Sequence, residues 1–208
     1  DPSRGFNAIY GMANIVRGIE ELNEKLPSDP LLGKATAAVT HIECDYNGPN
    51  ALPETCRIIV DRRILPGEQR RKIITQLKEA CQGTKAKIEV VEYDQPSYRG
   101  LRLPMEKYFP TWTLPEDHPL VTAAEQAYRS VFKKKASLDT WSMSTAGVYT
   151  MGIAEVPTIG FGPSEESYSG PVNDHVRVDD LEKCMAFYAS LPGYLPDTEP
   201  IRAPRRRR

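Results

Sequence analysis

The stretch from Asn50 to Glu68, NALPETCRIIVDRRILPGE, constrains the fold more than any other part of the chain. Its pattern predicts a turn built on Asn50 and Pro53, a strand over residues 56–61, and a Pro66-Gly67 turn that opens a helix. The strand ends on two arginines, Arg62 and Arg63. A guanidinium is a rigid fork that grips a carboxylate through two hydrogen bonds. An arginine placed where an apolar strand meets solvent therefore suits an acidic ligand. The same pair also suits a solvated strand end, because surface arginines are common. Residue chemistry leaves both readings open.

Around this stretch the periodicity supplies the rest of a layer. Ile9, Met12, Ala13, Val16 and Ile19 fall at helical spacing within 6–26, and Pro27 with Ser28-Asp29-Pro30 ends that helix. Small and β-branched residues over 35–44 predict a strand, and Asn47-Gly48 marks the turn after it. Residues 67–81 predict a helix with Ile73, Ile74, Leu77 and Ala80 on one face and Gly83 at its C-terminal cap. Alternation over 87–93 predicts a third strand. The order α-β-β-α-β is most of a ferredoxin-like α+β sandwich, with a sheet edge or helix face free to serve as a dimer surface.

A long irregular segment, 94–116, carries Tyr98, Tyr108, Phe109 and Trp112 among prolines, and a domain boundary is expected near residues 100–115. Beyond it a helix is expected from Asp117 with Pro119 in its first turn, closing on Lys133-Lys134-Lys135. A short strand over 136–141, a small polar loop over 142–147, a short helix over 148–151 and a buried strand over 156–161 follow. The last helix, 179–191, is expected to turn Leu181, Met185, Tyr188 and Leu191 inward. This half reads as α/β wiring.

Composition narrows the function classes. The 208 residues carry a formal net charge of -1, so no overall field points to nucleic acid or a membrane. No apolar run approaches the roughly 20 residues that span a bilayer. No apolar leader opens the chain. The terminal Arg205–Arg208 run reads as a basic tail. Cys44, Cys56, Cys81 and Cys184 form no C-x-x-C pair and read as reduced thiols in a cytoplasmic protein. Of the three histidines, His41 reads as a sheet residue, His118 as a helix cap and His175 as a weak metal ligand. Glu165-Glu166 reads as solvated charge. Neither a serine-hydrolase elbow nor a phosphate loop is present. By themselves these residues support a binding surface better than an active site.

Four stretches together resemble one family. They are PSRGFNAIYGMANI (2–15), the 50–68 stretch, SYRGLRLPMEKYFPTW (97–112), and WSMSTAGVYTMG with VPTIGFGP (141–152 and 156–163). The chain resembles the C-terminal two-thirds of the acetylornithine deacetylase / succinyl-diaminopimelate desuccinylase family, the aminoacylase-like dinuclear zinc hydrolases. The pattern is most similar to a selenium-metabolism hydrolase branch. The resemblance implies a ferredoxin-like lid and dimerisation domain over 1–104 and the C-terminal segment of an α/β catalytic domain over 105–196. Residues 197–208 are left as a disordered basic tail.

The same resemblance implies site residues. Arg63 matches the lid arginine that holds a substrate carboxylate, and Asn50 matches the asparagine of the turn that faces the active site. Ser144, Thr145 and Gly147 match a substrate-touching loop, with Ala146 where the branch has Asn. Two zinc ions are implied, bound mainly by residues outside this chain, and no catalytic or metal-binding residue is assigned within it. Gly170 stands where the branch has a zinc-ligating His, and His175 lies five residues on. A histidine expected before Pro2 is also missing. The family's H-x-D motif, bridging Asp and catalytic Glu all precede the lid and are not in this sequence, so the chain reads as a fragment, one piece of a split protein or an incompletely traced chain.

The function implied is a portion or subunit of a metal-dependent amidohydrolase or peptidase that cleaves an N-acyl or N-carbamoyl amino acid or small peptide. The other reading is a non-catalytic homologue that serves as a dimerising structural or regulatory subunit. The partners expected are a second copy through the lid, or a chain carrying the missing N-terminal half, together with a small-molecule substrate.

Overall fold

A computed structural model describes residues 5–141, 143–168 and 172–196. Gly170, Ser142 and the basic tail over 197–208 lie outside the described residues. The chain divides into two compact units, 1–111 and 112–208.

The first unit opens with helix α1 (Ala8–Lys25), whose N-cap Asn7 accepts the Ile9 amide at 3.0 Å. Its buried face is Ala8, Ile15 and Ile19; Ile9 and Ala13, expected inside, are exposed. Two-residue strands β1 (Ser28–Asp29) and β2 (Gly33–Lys34) form a tight hairpin in which Asp29 Oδ1 accepts the Leu31 and Leu32 amides. Strands β3 (Thr36–Cys44) and β4 (Cys56–Arg63) then pair antiparallel, with a bulge at Thr40. Helix α2 (Arg70–Ala80) starts three residues later than the periodicity suggests. Gly67 sits at φ +82°, a left-handed turn conformation that a helix cannot include.

Helix α1 lies on the hairpin. Ile15, Ile19, Leu26, Ala35, Ala37 and Leu65 form one buried cluster, which Ile58, Val60 and Leu77 extend. Gly18 lets α1 approach α2, because a Cβ there would meet the Ala80 carbonyl oxygen at 2.5 Å.

The expected third strand is mostly unpaired. Only β5 (Glu92–Tyr93) enters a ladder, with β6 (Met105–Glu106), and not with the β3–β4 sheet. The alternation it was read from persists, with Ile88 and Val90 half-buried and Lys87, Glu89 and Val91 exposed. Alternation fixes which face is inward; a ladder needs a neighbouring strand as well.

In the second unit, α3 (Pro119–Phe132) begins at His118, whose Nδ1 accepts the Leu120 amide at 3.1 Å. It ends at Lys133 in a left-handed conformation. A single helical turn, α4 (Gly147–Thr150), and the last helix, α5 (Val178–Ser190), follow. Among the described residues the strands expected over 136–141 and 156–161 carry no ladder hydrogen bonds, and Val156 is half exposed rather than buried. Phe161 nevertheless anchors its segment. It packs 4.0 Å from Phe187 and 6.1 Å from Tyr128, ring to ring, and its carbonyl accepts the Tyr188 hydroxyl at 2.6 Å. Helix α5 buries Cys184 and Phe187, so the inward face expected from Leu181, Met185 and Tyr188 is instead largely exposed. This helix is apolar on more than one side, and the side that meets α3 and Phe161 became the core.

Candidate functional site

The arginine pair is split by strand parity. Along β4, Cys56, Ile58, Val60 and Arg62 turn toward the helices while Arg57, Ile59, Asp61 and Arg63 turn outward. Arg62 is the structural member. Its side chain is 7% exposed and its Nη2 donates to Glu68 Oε1 at 2.6 Å. Its Nη1 donates to the Arg63 carbonyl, and Glu68 Oε2 accepts the Leu65 amide at 2.8 Å. One buried ion pair thereby fixes the backbone over residues 63–65. Arg63 carries its side chain 64% exposed, 3.7 Å from Asp61. The outward member has the access that a ligand-holding guanidinium requires.

Asn50 occupies a differently built place. It is exposed and lies in the turn closed by the Ala51 amide on the Gly48 carbonyl, with Pro49 ahead of it. Three braces hold the loop over 45–55. Asp45 accepts the Thr55 amide at 2.7 Å, the Thr55 hydroxyl, the Glu54 amide and the Asn47 side chain. The Thr55 amide, chief among these donors, holds the Asp45 carboxyl below its ordinary pKa. The Pro53 carbonyl accepts the Ala8 amide at the start of α1.

The third brace corrects the sequence reading of four reduced thiols: Cys44 and Cys56 face each other as the last rung of β3–β4 and are joined as a disulfide. Their separation of 12 in sequence conceals a pairing that strand register creates. Cys81 and Cys184 are free, and burial pushes both thiols up in pKa.

Asn50 and Arg63 do not converge. Asn50 lies in the loop before the first residue of β4 and Arg63 is its last residue, and the strand is roughly 23 Å long at ~3.3 Å per residue. A small ligand on Arg63 is out of reach of Asn50 in the same chain.

The other three residues lie in the second unit. Ser144 is exposed. Thr145 Oγ1 accepts the Gly147 amide at 3.2 Å, just ahead of α4. Gly147 is buried, and any Cβ on it would collide with the Trp112 indole. Of these, Ser144 alone is open to a ligand; Thr145 and Gly147 shape the loop.

Glu166, read from sequence as solvated charge, accepts the Met143 amide at 3.1 Å and braces this loop. His175 stacks on Tyr168 at 4.6 Å, with its Nδ1 2.5 Å from the Asn173 carbonyl. His41 lies exposed beside Glu43 on the outer sheet face. Among the described residues no three His, Cys, Asp or Glu side chains converge to hold a metal ion. The donor set here does not fit a zinc ion by itself.

Sequence reasoning assigned no bracing role to Asp45, Glu68 or Trp112. Asp45 opens the turn cluster, and Glu68 follows the Pro66-Gly67 turn, both places where a carboxylate collects loop amides.

Comparison with known proteins adds to this geometry. Residues 1–89 match the family described as the peptidase dimerisation domain, M20_dimer. The uncharacterized protein YgeY of Escherichia coli K12 is 37% identical over 193 residues, covering 92% of this chain and 48% of that protein. YgeY of Escherichia coli O157:H7 matches equally. The chain thus spans about half the length of these relatives. In fold it is similar to an M20 family metallo-carboxypeptidase, Sso-CP2 from Sulfolobus solfataricus, with a TM-score of 0.61 at 15% identity over 91% of this chain and 52% of that one. No helix among the described residues is long and apolar enough to cross a membrane.

Proposed function

We propose that this chain is a portion or subunit of a metal-dependent amidohydrolase or peptidase that cleaves the amide of an N-acyl or N-carbamoyl amino acid or small peptide. In this reading Arg63 holds the substrate carboxylate. The observation that carries it is the parity of β4: Arg62 is buried in its ion pair with Glu68, while Arg63, 64% exposed and 3.7 Å from Asp61, turns outward from a backbone that this pair fixes. The matches to a peptidase dimerisation domain and to the fold of a metallo-carboxypeptidase support the reaction class. The first unit then acts as a ferredoxin-like lid that self-associates. Zinc is the expected metal. Its ligands come mainly from outside the described residues, either from a partner chain or from a preceding segment, and no step is assigned to it.

Arg63→Ala tests the reading. Loss of a bidentate carboxylate contact raises the Michaelis constant by about tenfold or more, or about 1.4 kcal/mol, with the turnover number nearly unchanged. An unaltered Michaelis constant removes Arg63 from the site. Gly170, standing where the resemblance expects a zinc-ligating histidine, favours a second reading: a non-catalytic, dimerising homologue.

A further inference from the structure

We propose that Cys44–Cys56 is a reversible thiol–disulfide site whose state locks or releases the loop over residues 45–55. The inference goes beyond the hydrolase reading and does not depend on it.

Three successive rungs close the neck of this loop. The outermost strand rung but one pairs Glu43 with Arg57 through an exposed ion pair at 3.2 Å. The next is the disulfide. Beyond it the Asp45 amide donates to the Thr55 carbonyl at 3.2 Å, and the Asp45 carboxylate collects the Glu54 and Thr55 amides. Two of the three rungs are exposed polar contacts, each individually weak because water competes for the same groups. The covalent rung between them is the one link that water cannot replace. Both cysteines are half-buried at the hairpin end, between exposed Glu43 and Arg57 on one side and exposed Glu54 and Thr55 on the other, whereas Cys184 is buried in the second unit.

The release step is thiol–disulfide exchange with a dithiol. One dithiol sulfur attacks as thiolate and bonds to a cysteine sulfur, and the other cysteine leaves as thiolate. The second dithiol sulfur then resolves the mixed disulfide. The dithiol is oxidised to a disulfide, and the two cysteines take up the two electrons and two protons. With the neck held only by Glu43–Arg57 and Asp45–Thr55, the loop frays, and with it the Ala8 amide bonded to the Pro53 carbonyl at the start of α1.

The test is amide hydrogen exchange on the full chain, oxidised and after treatment with dithiothreitol. The expected result is exchange about tenfold faster at Glu54, Thr55 and Ala8 in the reduced protein, with the Val39–Val60 rung unchanged. Oxidised glutathione restores the slow rates. Cys56→Ser, with Cys44→Ser as the alternative variant, shows the fast rates under both conditions. Equal rates in the two states overturn the proposal. So does equal acceleration at Val39 and Val60, which would make the bond a general staple of the sheet, and so does a titration that finds four free thiols after oxidation.

Discussion

In the first unit two helices and a hairpin enclose a shared cluster of aliphatic side chains, and Gly18 lets the helices pack backbone to backbone. In the second unit α3 and α5 meet around the rings of Phe161 and Phe187. There Val178, Leu181, Met185 and Tyr188 leave an apolar stripe of α5 exposed, and the segments over 136–141 and 156–161 run without ladder partners. The first unit closes around one aliphatic cluster shared by α1, α2, β3 and β4, although Ile42, Ile59 and Val91 stay exposed on it. The second closes on an aromatic contact between two helices and leaves a whole stripe of α5 uncovered. A core shared by four elements holds the first unit, and a narrower one holds the second.

Separating the units breaks the comparison most directly. Residues 1–111 made alone should unfold cooperatively in urea, and residues 112–208 made alone should give no cooperative transition; the reverse result would refute the distinction. Next in size is Glu68→Ala, which leaves Arg62 buried without its partner and should cost the first unit about 3–5 kcal/mol by denaturant titration. Gly18→Ala forces a methyl onto the Ala80 carbonyl and should cost about 1–3 kcal/mol in the same assay, despite alanine's higher helix propensity.

Asp45 gives a smaller, local effect. Its folded pKa is depressed, so its contribution is present above the ordinary carboxylate pKa of about 3.9 and is lost as pH falls through the folded value. The protection factor of the Thr55 amide should therefore fall on the acid side of about pH 4, and Asp45→Ala should abolish that pH dependence. Smallest is Met185→Lys on the exposed stripe, which should shift stability by under about 0.5 kcal/mol. A larger loss would mean that the stripe is covered.

The sequence made the helices legible where apolar spacing and end signals agree: His118 caps and Pro27 ends, as expected. It made β4 legible for the same reason, and parity from Ile58 through Val60 already points Arg62 inward and Arg63 outward. What stayed hidden depends on register and on neighbours. The Cys44–Cys56 rung exists only once β3 and β4 are aligned around the Thr40 bulge. The ladders expected at 87–93, 136–141 and 156–161 need strands that alternation cannot supply. Thr145 and Gly147 matched a substrate loop by motif, yet their atoms are engaged with helix α4 and Trp112. A motif records which residues stand together without recording which of them faces outward.

The proposed activity is tested most directly by one preparation of the native protein, assayed for bound zinc and for hydrolysis of a panel of N-acyl amino acids with and without chelator. The account predicts bound zinc, about two ions per active unit, chelator-sensitive hydrolysis, and a raised Michaelis constant in Arg63→Ala. A zinc-free protein that leaves every member of the panel intact would contradict it and leave the dimerising, non-catalytic homologue in its place.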